Sequence, residues 1–197
     1  MARIGLDIDG VVCQFAPIAN QWLATRLGVP PQPVDKWNWF ENYGPDGPAA
    51  WKAFWWWVED TNGGVFISLD PEPYALDAIK DLVRRGHEVC FITHRNPRYL
   101  HAMHTWLRRN KLDAADVFEV HCTKEKWSVD CDIYVDDRPD NVRDLMDHGK
   151  DAYLMLQPWN TKDWFEDNRL RALTNLVELV QKLHPTSPAT APEVLHA

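Results

Sequence analysis

Asp7-Ile8-Asp9-Gly10 sets two carboxylates two residues apart, directly after an apolar stretch beginning at Arg3. On an extended backbone such residues point to the same side. Two like charges at close range suit a site that binds a cation or keeps a proton on one carboxylate, and Gly10 allows a sharp turn straight afterwards. A surface turn with two solvated acids is the plainer alternative. A second acidic edge, Val135-Asp136-Asp137-Arg138-Pro139-Asp140-Asn141, suits a hard, oxygen-preferring cation such as Mg²⁺. Here the plainer reading is that Asp137 or Asp140 caps the helix opened by Pro139, and Asp140 is expected to do so. In Phe91-Ile92-Thr93-His94-Arg95 a hydroxyl ends a third apolar run, and a helix start follows it, a combination that favours a phosphate oxygen. Lys124 and Lys126, shortly before Asp136, could neutralise phosphate at such an edge; alone, either would be a solvated lysine.

These residues need a frame that brings three chain ends together. The pattern supplies strands at Arg3–Ile8, Glu88–Thr93, Val117–His121, Asp132–Val135 and Ala152–Leu156. Helices are expected at Phe15–Leu27, Ala49–Glu59, Tyr74–Arg85, from Asn96-Pro97 to about Arg109, at Pro139–His148 and at Leu170–Leu183. Alternating strands and helices predict an α/β fold with a doubly wound parallel sheet. Ligands of such sheets bind at the carboxyl ends of the strands, so Asp7, Asp9, Thr93, Asp136 and Asp137 should meet at one edge. Residues 1–15 and 70–184 form the expected core, residues 16–69 a small, mainly helical insert, and residues 185–197 a disordered tail.

The chain has 197 residues with 21 Lys plus Arg, 29 Asp plus Glu and a net charge of −8. That balance argues against wrapping duplex nucleic acid or lying on an anionic membrane, both of which need a basic footprint. No apolar run approaches the ~20 residues of a membrane span, and the start lacks signal-peptide texture. The four cysteines form no C-x-x-C pair and read as reduced, buried thiols. The expectation is a soluble, cytoplasmic protein. A homodimer is allowed; the sequence does not give the oligomeric state.

Taken together, D-x-D-G-V-V at Asp7–Val12, the strand-ending Thr93, Lys126 ten residues before Asp136, and the pair Asp136-Asp137 resemble the four ordered motifs of the haloacid dehalogenase phosphohydrolases. The stretches I-G-L-D-I-D-G-V-V, F-I-T-H-R, V-D-D-R-P-D-N and Gln157-Pro158-Trp159-Asn160 resemble more closely the 5′(3′)-deoxyribonucleotidase branch. The resemblance implies a Rossmann-like core with a cap insert between the first two motifs. It implies Asp7 as nucleophile and Asp9 as general acid and base. Mg²⁺ would sit on Asp7, the Asp9 carbonyl, Asp136 and, directly or through water, Asp137. Thr93, the His94 N–H and Lys126 would hold phosphate, and Phe15 matches an aromatic position of the family. Where the family often has Ser after the motif Thr, this chain has His94.

Tryptophan is abundant, and seven of the 11 lie between Trp22 and Trp57, inside the insert. Large aromatic residues fill a small core well, so most are expected to pack. Trp55-Trp56-Trp57 cannot all face one way on a helix. Stacking on a nucleobase is worth ~1–3 kcal/mol, so one or two rings are expected to line a base pocket. Trp51 and Trp55, one turn apart, are the choice, with Lys124 as a further substrate contact. The leading expectation is a Mg²⁺-dependent phosphatase of (deoxy)ribonucleoside monophosphates, a small-molecule substrate. The alternatives are a sugar phosphatase, a nucleic-acid end-phosphatase and a non-catalytic nucleotide-binding module.

Overall fold

The computed structural model describes residues 1–112 and 119–185. Six strands form one all-parallel sheet: β1 (Arg3–Leu6), β2 (Glu88–Thr93), β3 (Val120–Cys122), β4 (Ile133–Asp136), β5 (Asp151–Met155) and β6 (Ala172–Leu173), in the order β3-β2-β1-β4-β5-β6. Helices α1 (Phe15–Leu27), α2 (Gly47–Asp60), α3 (Ala75–Arg84), α4 (Leu100–Arg109), α5 (Pro139–Asp147) and α6 (Thr161–Glu166) lie between them, and α7 (Leu176–Leu183) follows β6. Both faces of the sheet are covered, which is why the strands read as near-continuous apolar runs. The two-residue period divides the side chains between the faces. Val89, Phe91, Ile133 and Val135 enter one apolar cluster with α3, α4 and α7, while Cys90, Ile92 and Tyr134 enter the other with Val142 and Leu145 of α5. Gly5 of β1 is pressed so closely that an added Cβ would lie 2.5 Å from Ile92 and 3.2 Å from the Cys131 sulfur.

β1 sits between β2 and β4, with Leu6 level with Phe91 on one side and Val135 on the other. The residues just beyond these three strand ends are therefore neighbours. The chain runs outward from β1 through β2 to β3, then crosses back to β4. The β1–β4 gap is the switch point at which open parallel sheets bind ligands.

The insert leaves and returns at one place. Gln14 N–H donates to the Asp70 carbonyl at 2.8 Å, and Glu72 N–H to the Val12 carbonyl at 2.8 Å. Between these points lie α1, closed by left-handed Gly28, then α2 and two 3₁₀ segments. Trp39, Phe54 and Val58 of the insert belong to the same apolar cluster as Ile4 and Leu6 of β1.

Several expected boundaries shift. β1 ends at Leu6, so Asp7 already belongs to the loop. The expected helix from Leu170 to Leu183 begins only at Leu176, and Ala172–Leu173 pair with β5 as a sixth strand. The cause is Asn175, whose side chain accepts from the N–H groups of Val177 and Glu178 and starts the helix there. Helix α6, with Asn160 just before it, is also unanticipated. Asp140 does not cap α5: it is exposed and pairs with Arg143 and Arg138, while Asp136 accepts the Arg138 N–H. Part of the expected Val117–His121 strand and nearly all of the expected tail lie outside the described residues.

Candidate active site

β1, β2 and β4 deliver Asp7, Thr93 and Asp136–Asp137 to the same edge. There the 3₁₀ turn Lys126–Ser128 adds Lys126, whose ammonium bridges Asp7 (2.9 Å) and Asp136 (2.5 Å). Carboxylate oxygens of Asp7, Asp136 and Asp137 all lie within 4.8 Å of one another, and all three residues are buried. Asn141 donates to both Asp136 oxygens.

Electrostatics mark this cluster as short of positive charge. Burial, with repulsion from Asp136 and Asp9, outweighs the attraction of Lys126 and pushes Asp7 up to about 7. Burial and the charges of Asp7 and Asp136 raise Asp137 well above the usual carboxylate range. Burial works against the Lys126 charge, but Asp136 and Asp7 overcome it and hold the ammonium firmly protonated. Four carboxylates (Asp7, Asp9, Asp136, Asp137) face two buried cations, Lys126 and Arg95, leaving two negative charges over. An all-oxygen donor set with that deficit fits a divalent hard cation.

Asp9 points elsewhere. Arg95 grips it with Nε at 2.9 Å and a terminal nitrogen at 2.5 Å, and the guanidinium lies 4.0 Å from the centre of the Phe66 ring. Thr93 is buried, and its hydroxyl accepts the Arg95 N–H. His94 lines the cleft and its ring meets the Lys124 backbone. Lys124 itself is exposed and is not among the residues lining the cleft. Two residues apart around the 3₁₀ turn, only Lys126 turns inward.

The cluster opens into a cleft of about 580 Å³ walled by the insert, within the usual range for small-molecule sites. Phe15, Trp51 and Trp55 all line it, but differently. Trp51 stacks on both Phe40 (5.3 Å, 6°) and Phe54 (5.3 Å, 8°) and is half-buried, so packing claims much of its ring. Trp55 stacks on Phe15 on one side (5.7 Å, 25°) and stays 37% exposed. Trp57 packs on Trp22, while Trp56 faces solvent and is absent from the cleft lining.

Four further residues belong to the site: Arg95, Trp159, Asn141 and Arg138. All stand inside the motifs, where nothing in the local pattern marks them out from flanking positions. The Arg138 guanidinium lies 5.1 Å from the centre of the Trp37 ring, across the cleft mouth. Its Nε is, among the described residues, the one buried side-chain nitrogen or oxygen without a hydrogen-bond partner.

A family model described as 5′ nucleotidase, deoxy (Pyrimidine), cytosolic type C protein matches residues 1–182. A curated relative, "Putative 5'(3')-deoxyribonucleotidase" of Chlorobaculum tepidum, is 30% identical over 153 residues, which span 74% of this chain and 74% of that protein. Solved structures share the fold at low identity. A haloacid dehalogenase-like hydrolase from Streptococcus pneumoniae superposes with a TM-score of 0.62 at 10% identity, covering 93% of this chain and 98% of that one. A haloacid dehalogenase-family hydrolase from Deinococcus radiodurans, solved with bound phosphate and sodium, gives 0.61 at 12%, covering 92% and 94%.

Proposed function

Since the chain belongs to the family of cytosolic type C 5′-nucleotidases, and so is a phosphoric monoester hydrolase of that type, we propose that it dephosphorylates (deoxy)ribonucleoside monophosphates with Mg²⁺, through an aspartyl-phosphate on Asp7. The observation that carries this reading is the buried Asp7–Lys126–Asp136–Asp137 cluster opening directly onto an aromatic cleft.

Asp7, Asp136, Asp137 and the Asp9 carbonyl would hold the Mg²⁺, which when bound offsets repulsion between carboxylate and phosphate. Asp7 attacks phosphorus in line; the P–O ester bond breaks and the acyl-phosphate bond forms. Lys126, the Thr93 hydroxyl and the His94 N–H hold phosphoryl oxygens. Asp9 gives its proton to the leaving alkoxide. It then takes one from the water that attacks the phosphorus, frees phosphate and restores Asp7. Asp9 sits in a two-pronged ion pair with Arg95, a resting arrangement suited to the base step. Acting as an acid requires that it gain a proton and loosen that pair. The insert supplies the other half of the site. Trp55 and Phe15 offer the stacking surface for a base, and Arg138, lining the cleft beside Trp37, offers guanidinium donors to the nucleoside.

Phosphate release from each nucleoside monophosphate, with and without Mg²⁺, tests the reading, with a sugar phosphate as comparator. Asp7→Asn is expected to lower turnover by about 10³-fold or more while nucleotide binding persists. An Asp7→Asn enzyme that still turns over at the wild-type rate, or a wild-type enzyme preferring the sugar phosphate, overturns it.

A further inference from the structure

The segment after β5, Gln157-Pro158-Trp159-Asn160, touches both halves of the acidic cluster, and the reaction described above gives it no task. The Gln157 amide donates to the Gly10 carbonyl at 2.7 Å, on the loop that carries Asp7. The Trp159 indole N–H donates to Asp137 Oδ2 at 2.9 Å. Fully buried Asn160 donates to the Asp137 carbonyl at 2.6 Å and to the Met155 carbonyl at 2.8 Å, and its own oxygen accepts the Gln157 N–H at 2.9 Å. Gly10 lets the pieces close up: a Cβ there would stand 2.4 Å from Asp137 Oδ2 and 3.0 Å from the indole ring. One short segment thus fixes the backbone of Asp137, one of its two carboxylate oxygens, and the loop facing it.

Resting on the reading of Asp137 as a metal ligand, we propose that Trp159 is a positioning residue that selects a small, six-coordinate cation over a larger one by keeping Asp137 to a single coordinating oxygen. Mg²⁺ takes six ligands at short distance in near-ideal octahedral geometry. Ca²⁺ takes six to eight at longer distance and accepts carboxylates through both oxygens. An oxygen can accept a hydrogen bond and bind a cation at once, but turning Asp137 so that both oxygens reach one ion swings Oδ2 out of line with the indole N–H, and the packed Gly10 turn leaves the ring no room to follow. The Asn160 bonds keep the backbone from shifting to accommodate that rotation. Without the indole donor, Asp137 is free to swing and to bind through both oxygens.

The test is cation binding to the full chain by isothermal titration calorimetry, with MgCl₂ and CaCl₂ separately and no substrate present. Trp159→Phe is expected to weaken Mg²⁺ binding about tenfold, the low end for loss of a supporting hydrogen bond at a metal site. Ca²⁺ binding should change by less than about twofold, or tighten, so that discrimination falls about tenfold. In an Asp137→Asn background the same substitution should add no further change. Trp159→Met serves in parallel, with the same expectation, should the Phe variant melt well below the wild type. Equal weakening of both cations, unchanged affinity for both, or additive effects in the double variant would overturn the proposal. Phosphate release is assayed apart. A protein that loses cation selectivity on Trp159→Phe yet releases no phosphate supports this proposal and sinks the nucleotidase reading. A wild type that binds neither cation sinks the proposal.

Discussion

At the scale of single residues, chemistry and packing are assigned side chain by side chain within the same aromatic cluster. Trp51 stacks on two rings, Phe40 and Phe54, whereas Trp55 stacks on Phe15 and stays 37% exposed at the cleft. If the base of the substrate stacks on Trp55, Trp55→Ala raises KM for a nucleoside monophosphate by roughly 5- to 100-fold, since stacking is worth about 1–3 kcal/mol. It should leave the melting temperature nearly unchanged. Trp51→Ala should chiefly cost stability, by about 2 kcal/mol, since the half-buried ring packs on Phe40 and Phe54. Steady-state kinetics and thermal melts on the two variants give the comparison, and matching behaviour of the pair removes Trp55 from the substrate site. The clustered carboxylates were legible in the sequence because acids follow directly on apolar runs. Residue type alone does not separate Lys124 from Lys126, because the local turn decides which one faces inward; only the spacing of the family resemblance picks out Lys126. The Asp9–Arg95 pair joins residues 86 positions apart. Nothing local in the sequence signals such a contact.

At the scale of elements, the loops beyond β1, β4 and β5 work as one unit, and Gly10 is the point where they meet. It holds a left-handed φ of 75° in a space already filled by Asp137 and Trp159. Gly10→Ala is therefore expected to cost about 1–2 kcal/mol from the backbone alone, and more from displacing Asp137. For a domain of this size that lowers the melting temperature by at least about 2–4 °C, together with a loss of Mg²⁺ affinity. Thermal melts and cation titrations check both; a variant that keeps wild-type affinity would show that the three loops are not coupled through this glycine. The element pattern itself was readable where periodicity is long, as in α1 and β2, whose expected ends match the structure. It failed at β6, where two residues are too few to show alternation, and the apolar residues on either side of Asn175 read as one helix.

At the scale of the whole molecule, the excess negative charge beneath the cleft links folding to pH. Asp7 is pushed up to about 7, while in the unfolded chain it ionises near pH 4. Between those values the folded protein holds a proton that the unfolded chain has lost. The stability tied to this group is complete below about pH 4 and is lost as pH rises through about 7. On the proposed function, Mg²⁺ would bind where that proton leaves. Its stabilising effect, read as the difference between melts in MgCl₂ and in EDTA, should be larger at pH 8 than at pH 5; equal differences at both pH values would detach the cation from Asp7. The joining of insert and sheet has a different consequence. Because Val12–Gln14 and Asp70–Glu72 are hydrogen-bonded to each other, the two ends of the insert meet at a single socket, and its length has little bearing on the position of Asp7. Another segment could be grafted at that socket provided it presents an apolar face like that of Trp39, Phe54 and Val58. On the proposed function, choice of substrate could then diverge by exchange of one piece of chain while the carboxylate cluster stays as it is.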